Sequence, residues 1–438
     1  MAQQKSNGKI IAIITMMFLY AMIAFVTNLA APIGNVWKAQ PGIDGSNTLG
    51  MMGNMMNFLA YLFMGIPAGK MLIKRGYKNT ALIAIAVGFI GVGVQFLSGK
   101  LGDGTIAGVP AAFFVYLLGA FISGLCVCML NTVVNPMLNT IGGGGNKGNQ
   151  LNMIGGTLNS TAGTLTPMFV GALIGEISKD TKLADVNPVL FVALAVFAAA
   201  FIVLLFIPIA NPDNVDSNVK FEHSPWSFRH FVLGTIAIFI YVGVEVGLPG
   251  TLNFFLSDAS AKGAGLVANA AAIAGFVAGT YWFLMLCGRI IGSFISGKVS
   301  SKAMLTVVSA VAICLILAAM FTPKTVTTNM PVFTGKGFDM VSVPLSALLI
   351  VLCGLCTSVM WTGIFNLAVE GLGKYTALAS GIFMMMVVGG GVLPLIQNFI
   401  ADKATYMISY IVPLIGVAYL LFYALIGSKN VNKDIPVD

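Results

Sequence analysis

The sequence predicts an all-α protein that crosses a membrane twelve times, its helices gathered into two bundles of six. The prediction rests on three observations: 58% of the 438 residues are apolar and only 9% charged, the mean hydropathy is +0.93, and a single long polar stretch interrupts the apolar runs near the middle. A soluble domain carries roughly 25% charged residues, so this chain has too few to cover a soluble surface. A spanning helix needs about 20 apolar residues, which leaves room for a dozen spans and short loops. The 51 glycines and 24 methionines fit a helical membrane protein and exclude disorder, a collagen and a disulfide scaffold.

The net charge of +8 forms no basic stripe, so it excludes rather than suggests a nucleic-acid partner. Such an excess is expected of lysine and arginine in cytoplasmic loops. Cys126, Cys128, Cys287, Cys314, Cys353 and Cys356 all lie in apolar runs. Buried free thiols are expected there, and no metal or other cofactor is expected, because His223 and His230 lie in or near a loop. Lys5 and Lys9 precede a run that continues past signal-peptide length.

Apolar length and loop chemistry set the spans at 9–32, 50–73, 80–98, 110–139, 147–175, 187–210, 230–257, 268–297, 302–321, 341–369, 375–401 and 406–427. The polar stretch from Asn211 to Arg229, with its prolines and charges, separates spans six and seven. The expected division is therefore an N-terminal bundle over 1–210, a cytoplasmic linker over 211–229 and a C-terminal bundle over 230–438. With both termini inside, fourteen lysines and arginines fall in cytoplasmic segments and eight, including Lys38, Lys179 and Lys336, fall outside. That asymmetry favours cytoplasmic termini.

The halves repeat one another. Asn28-x-x-x-Pro32 matches Glu245-x-x-x-Pro249 at an offset of 217, Gly124-Leu-Cys126 matches Gly354-Leu-Cys356 at 230, and Gly163-x-x-x-Pro167 matches Gly390-x-x-x-Pro394 at 227. Three matches in one order indicate a duplicated six-helix unit with both copies in the same orientation. Between spans two and three, Gly69-Lys-Met-Leu-Ile-Lys74-Arg75-Gly76 is a glycine followed by a basic turn. With this signature, a twelve-span, two-bundle chain resembles the major facilitator superfamily. The resemblance implies gating at Lys74 and Arg75, although Ile73 stands where an acidic partner is usual.

Ionisable groups in a bilayer are costly and are kept for a purpose. Two lie well inside these spans, Glu245 and Arg289. Glu245 stands 16 residues beyond Arg229, about 24 Å along a helix at ~1.5 Å per residue, which is binding-cavity depth. It is read as a sugar-hydroxyl acceptor, a cation site, a proton carrier or one side of an interhelical pair. Arg289 lies near the cytoplasmic end of span eight and is expected to brace an inner gate or snorkel. The two depths argue against a direct pair.

The other polar groups in the spans are mainly amides: Asn28, Asn131, Asn135, Asn152, Asn159, Asn366, Gln397 and Asn398. An amide offers donors and acceptors together, which suits a neutral, hydroxyl-rich ligand. Interhelical hydrogen bonding is the alternative for each amide taken singly. Trp361 adds a face on which the C–H face of a pyranose can pack. An enzyme would need a nucleophile–base pair or metal ligands in the membrane, and no histidine or aspartate lies well inside these spans; a membrane receptor without turnover is the third class. Neither reading is favoured.

A narrower resemblance rests on longer motifs. Gly124-Leu-Cys-Val-Cys-Met-Leu-Asn131-Thr-Val-Val-Asn135-Pro136, Thr157-Leu-Asn159-Ser160, Tyr241-Val-Gly-Val-Glu245, Gly288-Arg289, Ile364-Phe365-Asn366-Leu367 and Val388-Gly-Gly-Gly-Val-Leu-Pro394 are similar to motifs of the fucose–galactose–glucose:proton symporter family. Tyr241-Val-Gly-x-Glu245 resembles the glucose/galactose members in particular. The resemblance implies a hexose transporter of a bacterial inner membrane working by alternating access. Its substrate would be a small neutral sugar bound by Asn28, Asn131, Asn135, Asn159, Glu245, Trp361, Asn366 and Gln397, with Lys74, Arg75 and Arg289 at the gate. An amino sugar is the rival substrate. The family's fucose symporter has carboxylates at the positions of Asn28 and Asn131, where they serve proton coupling and sugar binding, and a glutamine at the position of Gly156. Facilitated diffusion is therefore expected. The alternative is a symporter with proton or sodium as second cargo and Glu245 as its coupling residue.

Overall fold

A computed structural model describes residues 2–436 apart from 103, 142–144, 175–180, 182, 208, 210–222, 267–268, 297, 334–336 and 433. Lys179, Lys336 and most of the expected linker therefore lie outside the described residues. The helices are α1 (Ala2–Lys38), α2 (Asn47–Ser98), α3 (Ala111–Ile141), α4 (Gly145–Ile174), α5 (Asn187–Phe206), α6 (Arg229–Ser257), α7 (Ala270–Ile295), α8 (Ser301–Phe321), α9 (Leu345–Thr357), α10 (Met360–Val369), α11 (Thr376–Met386), α12 (Gly389–Lys403), α13 (Tyr406–Ser409) and α14 (Ile411–Phe422). Two short antiparallel hairpins join helices: β1 (Thr105–Ile106) with β2 (Val109–Pro110), and β3 (Thr327–Phe333) with β4 (Phe338–Pro344).

Among the described residues, eleven segments are long and apolar enough to cross a membrane. They include Asn47–Leu72 and Lys74–Ser98 as the two arms of α2, and Leu345–Val369 as α9 with α10. Gly76, with φ 75°, turns the chain between the arms of α2, a conformation that glycine adopts without the cost of a Cβ. The 30-residue α4 supplies the twelfth helix of the bundle; its asparagines, threonines and glycines keep it out of the apolar set. Serine and threonine caps start several helices: Ser46 Oγ accepts from Leu49 N, and Ser300 Oγ accepts from Ala303 N.

Two expectations are corrected. Residues 341–344 belong to β4, so span ten starts at Leu345; an apolar run alone does not separate the last strand from the first turn of a helix. The first helix runs through Pro32 to Lys38 instead of ending at the proline, because neighbouring helices can tolerate the lost hydrogen bond.

Alternation of direction places both chain ends and the α5–α6 connection at one end of the bundle, the terminal face. The α1–α2 loop and both hairpins lie at the other, the α1–α2 face. Within the first six spans, α3 packs on α2 so closely that a Cβ at Gly124 would strike the Asn57 carbonyl. In the second six, a Cβ at Gly389 would strike Phe239 of α6, and one at Gly354 the Tyr281 carbonyl of α7. The two groups meet along α4 with α7 and α2 with α12. Gly171 faces the Ala271 carbonyl and Gly275 faces Pro167. Asn54 Nδ2 donates to the Gly390 carbonyl at 2.8 Å. The outer surface is apolar, with Phe206 82% and Phe321 80% exposed, as a lipid-facing surface requires.

Candidate functional site

Four helices of the first group are joined by a hydrogen-bond network that begins at Tyr20. From α1, its hydroxyl donates to Asn135 Oδ1 of α3, and its carbonyl accepts from Asn159 Nδ2 of α4 at 3.1 Å. Asn131, one turn before Asn135, donates through Nδ2 to the Tyr61 hydroxyl of α2 at 2.6 Å. Asn135 Nδ2 in turn donates to the Asn131 carbonyl at 2.9 Å. Residues four apart share a helix face, so the Asn131–Asn135 spacing turns both amides to the same side. The result is a belt of amides and phenols, each able to donate and accept.

The second group contributes a charged centre. Tyr241 and Glu245 are one turn apart on α6, and the Tyr241 hydroxyl donates to Glu245 Oε1 at 2.8 Å. Arg289 of α7 places Nη2 3.6 Å from the same oxygen, and Nη1 donates across the divide to the Gly156 carbonyl of α4 at 2.6 Å. The direct pair contradicts the depth argument. Residue counts along two antiparallel helices do not fix how α6 and α7 are staggered, and the arginine stem spans several ångströms more. The Glu245 and Arg289 side chains keep 13% and 18% exposure, so the pair is largely buried but not fully enclosed. The Trp361 ring lies 6.2 Å from that of Tyr241 at 60°, within the same cluster.

Asn28 sits closer to the α1–α2 face. Its Nδ2 donates to the Ala24 carbonyl at 2.9 Å, and with Trp282 of α7 it lines a small cavity against Pro167 and Pro249. A Cβ at Gly163 would lie 3.3 Å from Trp282 and 3.4 Å from Asn28 Nδ2, so this glycine lets both approach.

Other candidates stand apart. Asn366 is exposed and 3.5 Å from Ser301 Oγ, away from the belt. Gln397 is buried with Oε1 toward Gly247, and its Nε2 has no hydrogen-bond partner among the described residues. Asn398 is spent on Thr251 Oγ1 at 3.0 Å and the Pro394 carbonyl at 2.8 Å. The Asn152 side chain lies outside those described. Lys74 and Arg75 are exposed beside Gly76 at the terminal face, remote from the centre. Tyr20, Tyr61 and Trp282 were not expected from the sequence, where aromatic residues in apolar runs look like packing. Among the described residues there is no cluster of three or more histidines, cysteines or carboxylates able to hold a metal.

A neutral layer of amides and phenols on one side, an internally compensated ion pair and an indole on the other, can bind an uncharged polyol between two helix groups. Residues 11–395 match the model of the Major Facilitator Superfamily. The chain belongs to this superfamily. It is 29% identical over 441 residues to the glucose/galactose transporter of Brucella abortus, covering 98% of this chain and 96% of the relative. It is 30% identical over 390 residues to the putative glucose/galactose transporter of Helicobacter pylori strain J99, covering 85% and 86%. The crystal structure of the Escherichia coli fucose:proton symporter matches the fold with a TM-score of 0.66 at 18% identity, covering 97% of this chain and 100% of that one. The superfamily's members are transporters rather than enzymes, and the polytopic all-α fold is as the sequence predicts.

Proposed function

We propose that the protein is a hexose transporter of the glucose/galactose type that works by alternating access without coupling to an ion. In this reading Asn131, Asn135 and Asn159 hold sugar hydroxyls from one side, Glu245 accepts from them on the other, and Trp361 covers the apolar face of the ring. Asn28 reads the end of the sugar nearer the α1–α2 face, Asn366 and Gln397 are outer members of the set, and Arg289, Lys74 and Arg75 serve the gate. The bundles over 1–210 and 230–438 rock about this layer, joined by the 211–229 linker, in a bacterial inner membrane with both termini in the cytoplasm.

The observation that carries the uncoupled reading is the 3.6 Å approach of Arg289 to Glu245. Both residues belong to the second bundle, so a standing positive charge accompanies the carboxylate through the cycle and no proton or sodium is needed to compensate it. The two family positions that bear carboxylates are amides here, which supports the same reading. The coupled alternative is favoured by two facts: Glu245 is a carboxylate that is not fully enclosed, and the relatives' family includes a proton symporter. An amino sugar is the substrate alternative.

Labelled glucose in proteoliposomes separates them. Counterflow without accumulation under an imposed proton or sodium gradient is expected. Accumulation above the external level that is lost in Glu245→Gln while counterflow survives would establish symport instead. Counterflow with glucosamine and none with glucose would transfer the reading to amino sugars.

A further inference from the structure

At the α1–α2 face, one carboxylate ties the two groups of helices together. Asp402, in the last turn of α12, accepts from Ser46 Oγ at 3.0 Å, Asn47 N at 2.7 Å, Thr48 N at 2.8 Å and Thr48 Oγ1 at 2.6 Å. Ser46 to Thr48 open α2, where the first backbone N–H groups lack helical partners and the helix dipole favours negative charge. A residue of the second bundle thus caps a helix of the first, with hydrogen bonds to an ionised acceptor, the stronger kind.

A second set of contacts surrounds this cap. Lys38 Nζ, at the end of α1, donates to Asn47 Oδ1 at 2.5 Å and to the Tyr406 hydroxyl at 3.3 Å, and lies 4.4 Å above the Phe254 ring. The Tyr406 hydroxyl is 2.8 Å from Asn47 Oδ1 and 2.9 Å from Asp258 Oδ2. Lys262 Nζ donates to the Asp402 carbonyl at 3.2 Å. One layer deeper, Asn35 Nδ2 donates to Asn253 Oδ1 across the divide at 2.6 Å. The cavity below, lined in part by Asn28 and Trp282, holds about 30 Å³, the scale of a single water and far below that of a hexose.

We infer that Asp402 is the residue that holds the α1–α2 face shut, and that its release from Ser46 to Thr48 accompanies every passage of substrate through that face. The contact is suited to reversal. All four of its hydrogen bonds cross between bundles, and water can satisfy both the freed carboxylate and the freed N–H groups when the bundles part. Lys38 and Asn47 also cross the divide, to Tyr406 and Phe254, and Asn35 crosses to Asn253, but each of these is a single contact, whereas Asp402 gathers four hydrogen bonds on one ionised group. The inference rests on the alternating-access reading for its role in transport, and on geometry alone for the closure itself.

Two measurements test it on the full chain. Leu101→Cys and Ala261→Cys, both exposed near this face and on opposite bundles, carry spin labels in a background with Cys287→Ser and Cys314→Ser. Double electron–electron resonance is expected to give one short distance for the parent, and Asp402→Asn is expected to add a longer one, raising the open fraction about tenfold as a charge-assisted bond is lost. An unchanged distribution in both Asp402→Asn and Asp402→Ala overturns the inference. In the second arm, oxidising a Ser46→Cys/Asp402→Cys pair is expected to stop glucose counterflow, and reductant to restore it. Undiminished counterflow in the fully cross-linked protein overturns it as well. A parent that moves no sugar refutes the hexose reading, while the distance measurement still decides the latch.

Discussion

Arg289 touches Glu245 and Gly156 at once, with Nη2 3.6 Å from the carboxylate of its own bundle and Nη1 2.6 Å from the backbone carbonyl of the other. The two contacts differ in kind. In the alternating-access reading the first stays intact as the bundles rock, and the second breaks. A Cβ at Gly156 would already lie 3.2 Å from Nη1, so the close approach depends on glycine there.

Removing the arginine should therefore cost more than removing the pair. Breaking a largely buried ion pair leaves an uncompensated charge, whereas replacing both partners leaves none. Arg289→Ala is expected to lower the melting temperature more than the Arg289→Ala/Glu245→Gln double variant does. Thermal unfolding in detergent measures this, and a double variant that melts below the single one would show that Arg289 does not act through Glu245.

The amides should show in affinity. Asn131→Ala and Asn159→Ala are each expected to weaken sugar binding by about 1–3 kcal/mol, the cost of leaving a desolvated hydroxyl unpaired. Calorimetry of purified protein gives the dissociation constants. Parent-like constants with reduced expression would assign both residues to the Tyr20 and Tyr61 hydrogen bonds alone.

Trp361 should behave as a surface rather than as a donor. Trp361→Ala is expected to weaken binding clearly more than Trp361→Phe, because lost stacking area matters and the indole N–H does not. Small and equal effects in tryptophan-independent binding assays would make its contact with Tyr241 simple packing.

Orientation has a separate test. Lysine and arginine asymmetry predicts cytoplasmic termini, with positions 179 and 336 outside. Lys336→Cys in whole cells should react with an impermeant maleimide added externally. Reaction only after the membrane is opened would invert the topology.

Helix positions were legible because spanning helices are long and apolar on most sides. The seventh span, expected at 230–257, is α6 at Arg229–Ser257. The β3–β4 hairpin was not legible, since Val341 to Pro344 continues directly into an apolar helix. Within the site, the Tyr241–Glu245 contact could have been found from its spacing of four. Tyr20 and Tyr61 could not, because their partners lie on other helices and no periodicity marks a contact between distant segments. The same limit hid the pairing of Arg289 with Glu245, which depends on how two antiparallel helices are staggered.

Around Gly171 and Gly275 the contact between α4 and α7 is made by backbone. Methyl groups at Gly171 or Gly275 would sit 2.7 Å and 2.3 Å from the carbonyls of Ala271 and Pro167. Such a contact works as a plain bearing rather than a gear. At these two points no side chain has to lift out of a socket, so in the alternating-access reading the helices slide there with little friction. A single added methyl on this track would act as a tooth, jamming the stroke without touching the cargo.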